Sequence, residues 1–355
     1  MDYSSERNHG CRIFEYTHRG LTFITLENEI LKMSIIADKG ADIIELLYKP
    51  LDVDLMWKAP GGIKEPGKHI PTIASATGSY CDYFAGGWQE ILPGGGPDTY
   101  RGAELGLHGE LTLLPWHYAI EADAADEIAV VFSCRTVRFP FHLKKRIRLT
   151  SHSPLIHFEE WLTNESGEAI EFLWAQHPAF GAPFIRGGCR IDIPAAEFAT
   201  SDFYNSATAL FKPEHKGPWP VDIGKNGEKV DLSVVPSGEK PVSDLYYVRG
   251  LDEGWYAITN QALQLGFGLC WDVAVFPYVT YWQVCGGSYG YPWYGRTYNI
   301  GLEIWNSFTD KIRTARQNGT IQKIQGDETI HTTYKAVIYR GLDRVKRISR
   351  EGVVA

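Results

Sequence analysis

The 355-residue chain lacks a long apolar run, a basic block and any paired-cysteine motif. No stretch approaches the roughly 20 apolar residues that cross a bilayer, and the opening MDYSSERNHG has no charged region leading into an apolar one, as a secretory signal would. Six cysteines (Cys11, Cys81, Cys134, Cys189, Cys270, Cys285) are scattered, with no Cys-x-x-Cys and no His at zinc spacing. These absences predict a cytoplasmic chain with reduced thiols, no membrane segment and no metal. Net charge is −8, and the basic stripe that a nucleic-acid surface needs is missing. The densest basic run, Lys144, Lys145, Arg146 and Arg148, lies in an alternating segment and reads as one solvated strand face. Several catalytic signatures are absent too: no Gly-x-Ser-x-Gly elbow, dinucleotide fingerprint, P-loop or His-Glu-x-x-His. Gly94-Gly95-Gly96-Pro97 is followed by neither a helix nor a Lys, so it is no phosphate cradle. It reads as a turn that lets backbone approach a site closely.

What the chain does have is strand pattern and aromatic residues. Short apolar or alternating runs bounded by turn residues recur: 21–26, 31–36, 43–48, 128–134, 143–149, 155–163, 170–176, 255–259, 263–271, 297–305 and 332–339. They predict stacked antiparallel sheets with no helix longer than two turns. Residues 60–110 are rich in Gly and Pro and too long for a hairpin loop, which points to function. Residues 211–240 read as a polar surface excursion. No linker or internal repeat divides the chain, so a single domain over 1–355 is expected. The 11 Trp, 19 Tyr and 16 Phe suit either wide sheets or a groove for sugar rings.

Three segments put ionisable groups where a β protein would place apolar ones. GGWQEILPGGGP with LGLHGE carries Glu90, His108 and Glu110. LWAQHPAFG carries His177 at the end of the 170–176 strand. YNIGLEIWN carries Glu303, on the strand face opposite Tyr298, Ile300, Leu302 and Ile304 and beside Trp305. Each has a structural alternative: a hydrogen-bonded histidine for His177, a turn residue for His108, a solvated carboxylate for Glu303.

In order and spacing, these segments and the closing IQGDETIHTTYKAVIY resemble the aldose 1-epimerase (galactose mutarotase-like) family. The resemblance covers most of the chain. It implies a large antiparallel β supersandwich, no cofactor, and a His/Glu pair that opens and recloses a sugar ring to exchange α and β anomers. By motif the general acid is His177 and the general base Glu303. His108 contacts the sugar near its ring oxygen, and Asp244 in VSDLYYV is the nearest match to a substrate-binding acid. The closing segment matches the family's last hairpin. The family's early Gly-Arg-x-x-Asn-Arg has no counterpart in YCDYFAGGWQEILPGGGP; Asp82, Trp88, Gln89 or Glu90 stands in its place. Trp88, Trp282, Trp293 and Trp305 supply an aromatic shelf.

The ligand expected is an uncharged small sugar. A sugar phosphate would call for clustered basic residues, and Arg101, Arg186, Arg249 and Arg296 form no paired signature. An epimerase for a sugar phosphate or an unusual sugar derivative, a glycosidase using Glu90 and Glu303, and a non-catalytic carbohydrate-binding protein stay as rivals. For anomer exchange, His177 protonated and Glu303 ionised on opposite sides of C1 would deliver one proton and remove another.

Overall fold

The computed structural model describes residues 7–65, 77–201 and 206–355; positions 66–76 of the long Gly/Pro-rich segment lie outside them. Alternation at period two forces each strand to show one apolar face. Two large antiparallel sheets bury those faces against each other. Among the described residues one sheet has twelve strands and the other eight.

Five neighbouring strands of the larger sheet position everything that follows. They are β1 (Trp88–Ile91), β2 (Ala175–Gly181), β3 (Val242–Leu251), β4 (Tyr278–Cys285) and β5 (Tyr298–Trp305), in spatial order β1-β2-β5-β4-β3. The smaller sheet faces them with Phe141–Thr150, Leu155–Asn164, Thr329–Arg340 and Leu265–Trp271. Trp88 packs across the interface on Phe158, Phe267 and Tyr334 at ring distances of 4.9, 6.2 and 6.1 Å. A continuous apolar cluster contains residues from both sheets. Among the described residues the two α-helices are short, α1 (Gly78–Tyr83) and α2 (Ile312–Asn318). No helix among the described residues is long and apolar enough to cross a membrane.

Three expectations need correction. The 170–176 run is not one strand. Ile170–Phe172 pairs with Gln322–Ile324 in a small separate sheet, and β2 starts at Ala175. His177 is therefore inside a strand, not after one. The closing segment is no hairpin either, because Thr329–Arg340 inserts between Leu155–Asn164 and Leu265–Trp271. Nor do the four basic residues share a face. Phe141, Leu143, Lys145, Ile147 and Leu149 point inward, so Lys145 is buried while Lys144, Arg146 and Arg148 face out.

Lys145 is held there by charge. Its Nζ contacts Glu90 Oε2 and lies 3.2 Å from Glu160 Oε1, all three side chains being almost wholly buried. Trp174 Nε1 and Gln176 Nε2 donate to Glu90 Oε1 at 2.5 and 2.6 Å, and Tyr334 donates to Glu160 at 2.6 Å. Burial and the Glu90 charge push the Glu160 carboxyl up to about 8. This polar knot sits between the sheets, satisfied group by group as a buried network must be.

Candidate active site

On the outer face of the larger sheet, register aligns one residue from each of the five strands. Tyr247 pairs with Thr280 and Thr280 with Glu303; His177 faces Gln89. Ala175 pairs with Trp305 and Gln176 with Ile304, which brings His177 level with Glu303. The row Tyr247–Thr280–Glu303–His177–Gln89 thus crosses five strands that lie as far apart in sequence as Gln89 and Glu303. His177, Thr280, Glu303 and Tyr247 line a cavity of about 270 Å³ with His108, Trp305, Trp282, Trp293, Phe84 and Tyr80.

His177 Nε2 lies 3.3 Å from Glu303 Oε1, with both side chains about 5% exposed or less. Glu303 Oε2 accepts from Trp305 Nε1 at 2.9 Å. Desolvation pushes the Glu303 carboxyl up to about 8, against the pull of that indole N–H, and holds the His177 imidazole down to about 4. Both shifts favour the neutral forms, carboxyl and imidazole, in the resting site; the ionised Glu303 and protonated His177 expected from the sequence refer to the form that reacts. The two groups are direct neighbours across the strand pair. The His108 ring lies 5.0 Å from that of His177 and 4.2 Å from Tyr80. His108 sits in a left-handed backbone conformation, φ 60°, with its N–H donating to Gly95 O at 2.6 Å. Burial and the neighbouring His177 keep it well below the usual imidazole range. It is both a turn residue and a wall of the cavity.

The triglycine turn behaves as expected. A Cβ on Gly95 would lie 2.4 Å from the Trp305 indole, and the Gly95 N–H donates to Asp310 O at 2.9 Å. Only glycine permits that approach.

Four of the eight anticipated site residues, His177, Glu303, His108 and Trp305, line the cavity, while Asp244, Gln89, Glu90 and Trp88 do not. Trp88 and Glu90 alternate inward, into the aromatic core and the Lys145 knot. Asp244 stands an odd number of residues before Tyr247 on β3, and so on the opposite face. Leu245 and Tyr247 face the cavity, so Asp244 faces away, where its carboxylate accepts from Leu210 N and Leu245 N. Gln89 is on the correct face but covered: Tyr80 donates to its Oε1 at 2.6 Å. Asp82, the other stand-in for the missing Arg, accepts from Tyr291 at 3.0 Å. Sequence reasoning missed Tyr80, Phe84, Thr280, Thr309 and Asp310. Of these only Thr280 carried a signal, since it occupies the alternate position of YVTYWQVC that matches Glu303.

The architecture is that of the galactose mutarotase-like proteins. A candidate aldose 1-epimerase from Klebsiella pneumoniae superposes with a TM-score of 0.69 at 16% identity, covering 93% of this chain and 87% of that one. A galactose mutarotase-like protein from Clostridium acetobutylicum gives 0.63 at 16%, covering 94% and 99%. Another from Lactobacillus casei gives 0.59 at 14%, covering 89% and 100%. Within that fold class, the chain belongs to the family described as a domain of unknown function (DUF4432), whose profile matches residues 18–338. A search of curated proteins gives no match.

Proposed function

We propose that the protein is an aldose 1-epimerase-type isomerase of an uncharged sugar, with His177 and Glu303 as its acid–base pair. The observation that carries this reading is their 3.3 Å contact in an aromatic-walled cavity, with His108 alongside. Ring opening breaks C1–O5, its electron pair going to O5 with a proton, while the C1 hydroxyl loses its proton as C1=O1 forms. O1 and O5 hang on the same carbon, so a donor and an acceptor side by side serve both. With the resting proton on Glu303, the carboxyl protonates O5 and His177 takes the O1 proton. With the proton on His177 the roles exchange. Both distributions hold one proton and are kinetically equivalent. The aldehyde end then turns and the ring closes by the reverse steps. No electron or carried group moves, so the reaction itself calls for no cofactor.

Among the described lining residues there are two carboxylates, Glu303 and Asp310, and no Lys or Arg. A phosphorylated sugar would lose its hydration there without a compensating cation. This supports a neutral ligand over a sugar phosphate. The core continuous between the sheets likewise supports a single domain.

Saturation-transfer NMR between α and β anomers across a panel of neutral aldoses and their 6-phosphates tests the reading. At least one neutral aldose should exchange faster with enzyme. His177→Asn and Glu303→Gln should each slow that exchange by about two to four orders of magnitude while sugar still binds. Near wild-type exchange in both variants, or catalysis restricted to the phosphates, would defeat it.

A further inference from the structure

Building on the sugar reading above, we infer that the preferred ligand is a 6-deoxy aldopyranose, carrying a methyl group where common hexoses carry a hydroxymethyl. The outer face changes character one step along the strands. Beside the row Tyr247–Thr280–Glu303–His177 stands the row Leu245, Trp282, Gly301 and Ala179. Over it close Phe84, Leu107 and Trp293. Phe84 and Trp282 each lie 5.8 Å from the His177 ring, and Trp293 lies 6.0 Å from Phe84 and 5.9 Å from Trp282. Leu107, Leu245 and Trp293 pack on an apolar cluster, distinct from the main core, that contains Trp57, Tyr80, Phe84 and Trp282. The Tyr80 hydroxyl is already committed to Gln89. The Cys81 thiol, pushed up to about 11 by burial, stays neutral and a weak donor.

Bonding within the sugar ties this wall to one position. The pair must reach O5 to open the ring. O5 is bonded to C5, and C5 carries C6. Whatever stands at C6 therefore lies beside the residues that border the pair; the rings bordering His177 are His108 at 5.0 Å and, on the side of this wall, Phe84 and Trp282 at 5.8 Å. A hydroxymethyl on the Phe84 and Trp282 side, away from His108, would bury a hydroxyl among rings and aliphatic side chains without a partner. A methyl would gain apolar contact instead. A cavity of about 270 Å³ is small for a ligand site and suits one ring. Apolar pockets reject an added hydroxyl only moderately, by about ten- to a hundred-fold, and that sets the size of the effect.

Three matched pairs differing only at O6 test the inference: 6-deoxy-D-galactose and D-galactose, 6-deoxy-D-glucose and D-glucose, L-rhamnose and L-mannose. Affinity is read from tryptophan fluorescence, since Trp282 and Trp293 line the cavity, and turnover from anomer exchange. In at least one pair the 6-deoxy sugar should bind about ten-fold tighter or better. In that pair the gap should narrow in Phe84→Tyr or Leu245→Gln, each of which adds a polar group to the wall. Equal or tighter binding of the parent sugar in all three pairs overturns the inference, as does an unchanged gap in both variants. A 6-deoxy preference in binding without exchange would remove the isomerase reading and leave this one standing. Exchange with no preference does the reverse, and no binding of any of the six removes both.

Discussion

His177 Nε2 and Glu303 Oε1 stand 3.3 Å apart on neighbouring strands, and the environment favours the neutral form of each. Between about pH 4, where His177 gains a second proton, and about pH 8, where Glu303 loses its own, the pair holds one proton. Anomer exchange should therefore show a broad plateau with an acid limb near 4 and an alkaline limb near 8. Glu303→Gln, besides slowing the reaction, should erase the alkaline limb in whatever activity remains. A kcat/KM profile of wild type and variant checks this, and an alkaline limb that persists in the variant would assign it to another group.

Gly95 controls the same carboxyl from the other side. Alanine there would press on the Trp305 indole, whose N–H holds Glu303 Oε2 at 2.9 Å and draws its proton affinity down. Gly95→Ala should lower exchange by roughly ten- to a hundred-fold through misplacement and shift the alkaline limb upward. Thermal melting should find the fold intact. An unmoved limb would show that Trp305 does not tune the acid.

Most strands were legible because half-buried antiparallel strands alternate, and the alternation of 141–150 and 155–164 survives in the structure. The break at Leu173–Trp174 was not legible. Phe172 to Ala175 are apolar without alternation, and what divides the run is remote: Leu173 N donates to Pro93 O and Trp174 N to Asn306 Oδ1. For the site, the sequence motifs located His177, His108, Glu303 and Trp305. They failed for Trp88, Glu90 and Asp244, because a one-residue step in a strand sends a side chain to the opposite face. Only the pairing partners, Pro178 for Trp88, Gln176 for Glu90 and Gln283 for Asp244, decide which face is which. Tyr80 comes from a helix of six residues, too short to show a period, and Phe84 is the residue that caps it.

The buried Lys145 knot should govern stability. Removing the ammonium in Lys145→Met leaves two carboxylates crowded between the sheets and should cost about 3–5 kcal/mol. Lys145→Met/Glu90→Gln should recover part of the loss, and denaturant melts would show it. Glu160 adds a pH dependence. Its folded pKa, about 8, is above the unfolded carboxylate value. Its contribution is therefore fully present below about pH 4.5 and lost as pH rises through 8. Melting temperature should fall from pH 5 to 9, and Glu160→Gln, isosteric with the protonated acid, should flatten that fall. An identical slope in the variant would exclude Glu160 as its source.

His108 should orient substrate, in which case His108→Ala weakens affinity and turnover together, since misplacement costs alignment as well as contact. Isothermal titration alongside exchange NMR separates the two. Intact affinity with turnover abolished would make His108 the proton donor and demote His177.

Behind His108 stands Tyr80, backed by a chain of hydrogen bonds whose polarity is fixed from its buried end. Lys39 Nζ pairs with Asp42 Oδ2 at 2.5 Å, and both side chains are almost wholly buried. Gln89 Nε2 donates to the same carboxylate oxygen at 2.9 Å, which turns Gln89 Oε1 toward Tyr80. The Tyr80 hydroxyl must then donate, at 2.6 Å, and this ties α1 to β1 with the Tyr80 ring against His108. Tyr80→Phe leaves the Gln89 oxygen buried without a donor, at a cost of about 1–3 kcal/mol. It also loosens the support of His108 without touching His177 or Glu303. KM should rise by roughly three- to thirty-fold, equivalent to about 0.7–2 kcal/mol of lost positioning, while both limbs of the pH profile stay in place. Steady-state kinetics and a thermal melt on the same preparation decide the matter. A lowered melting temperature with an unchanged KM would confine Tyr80 to holding α1 on the sheet.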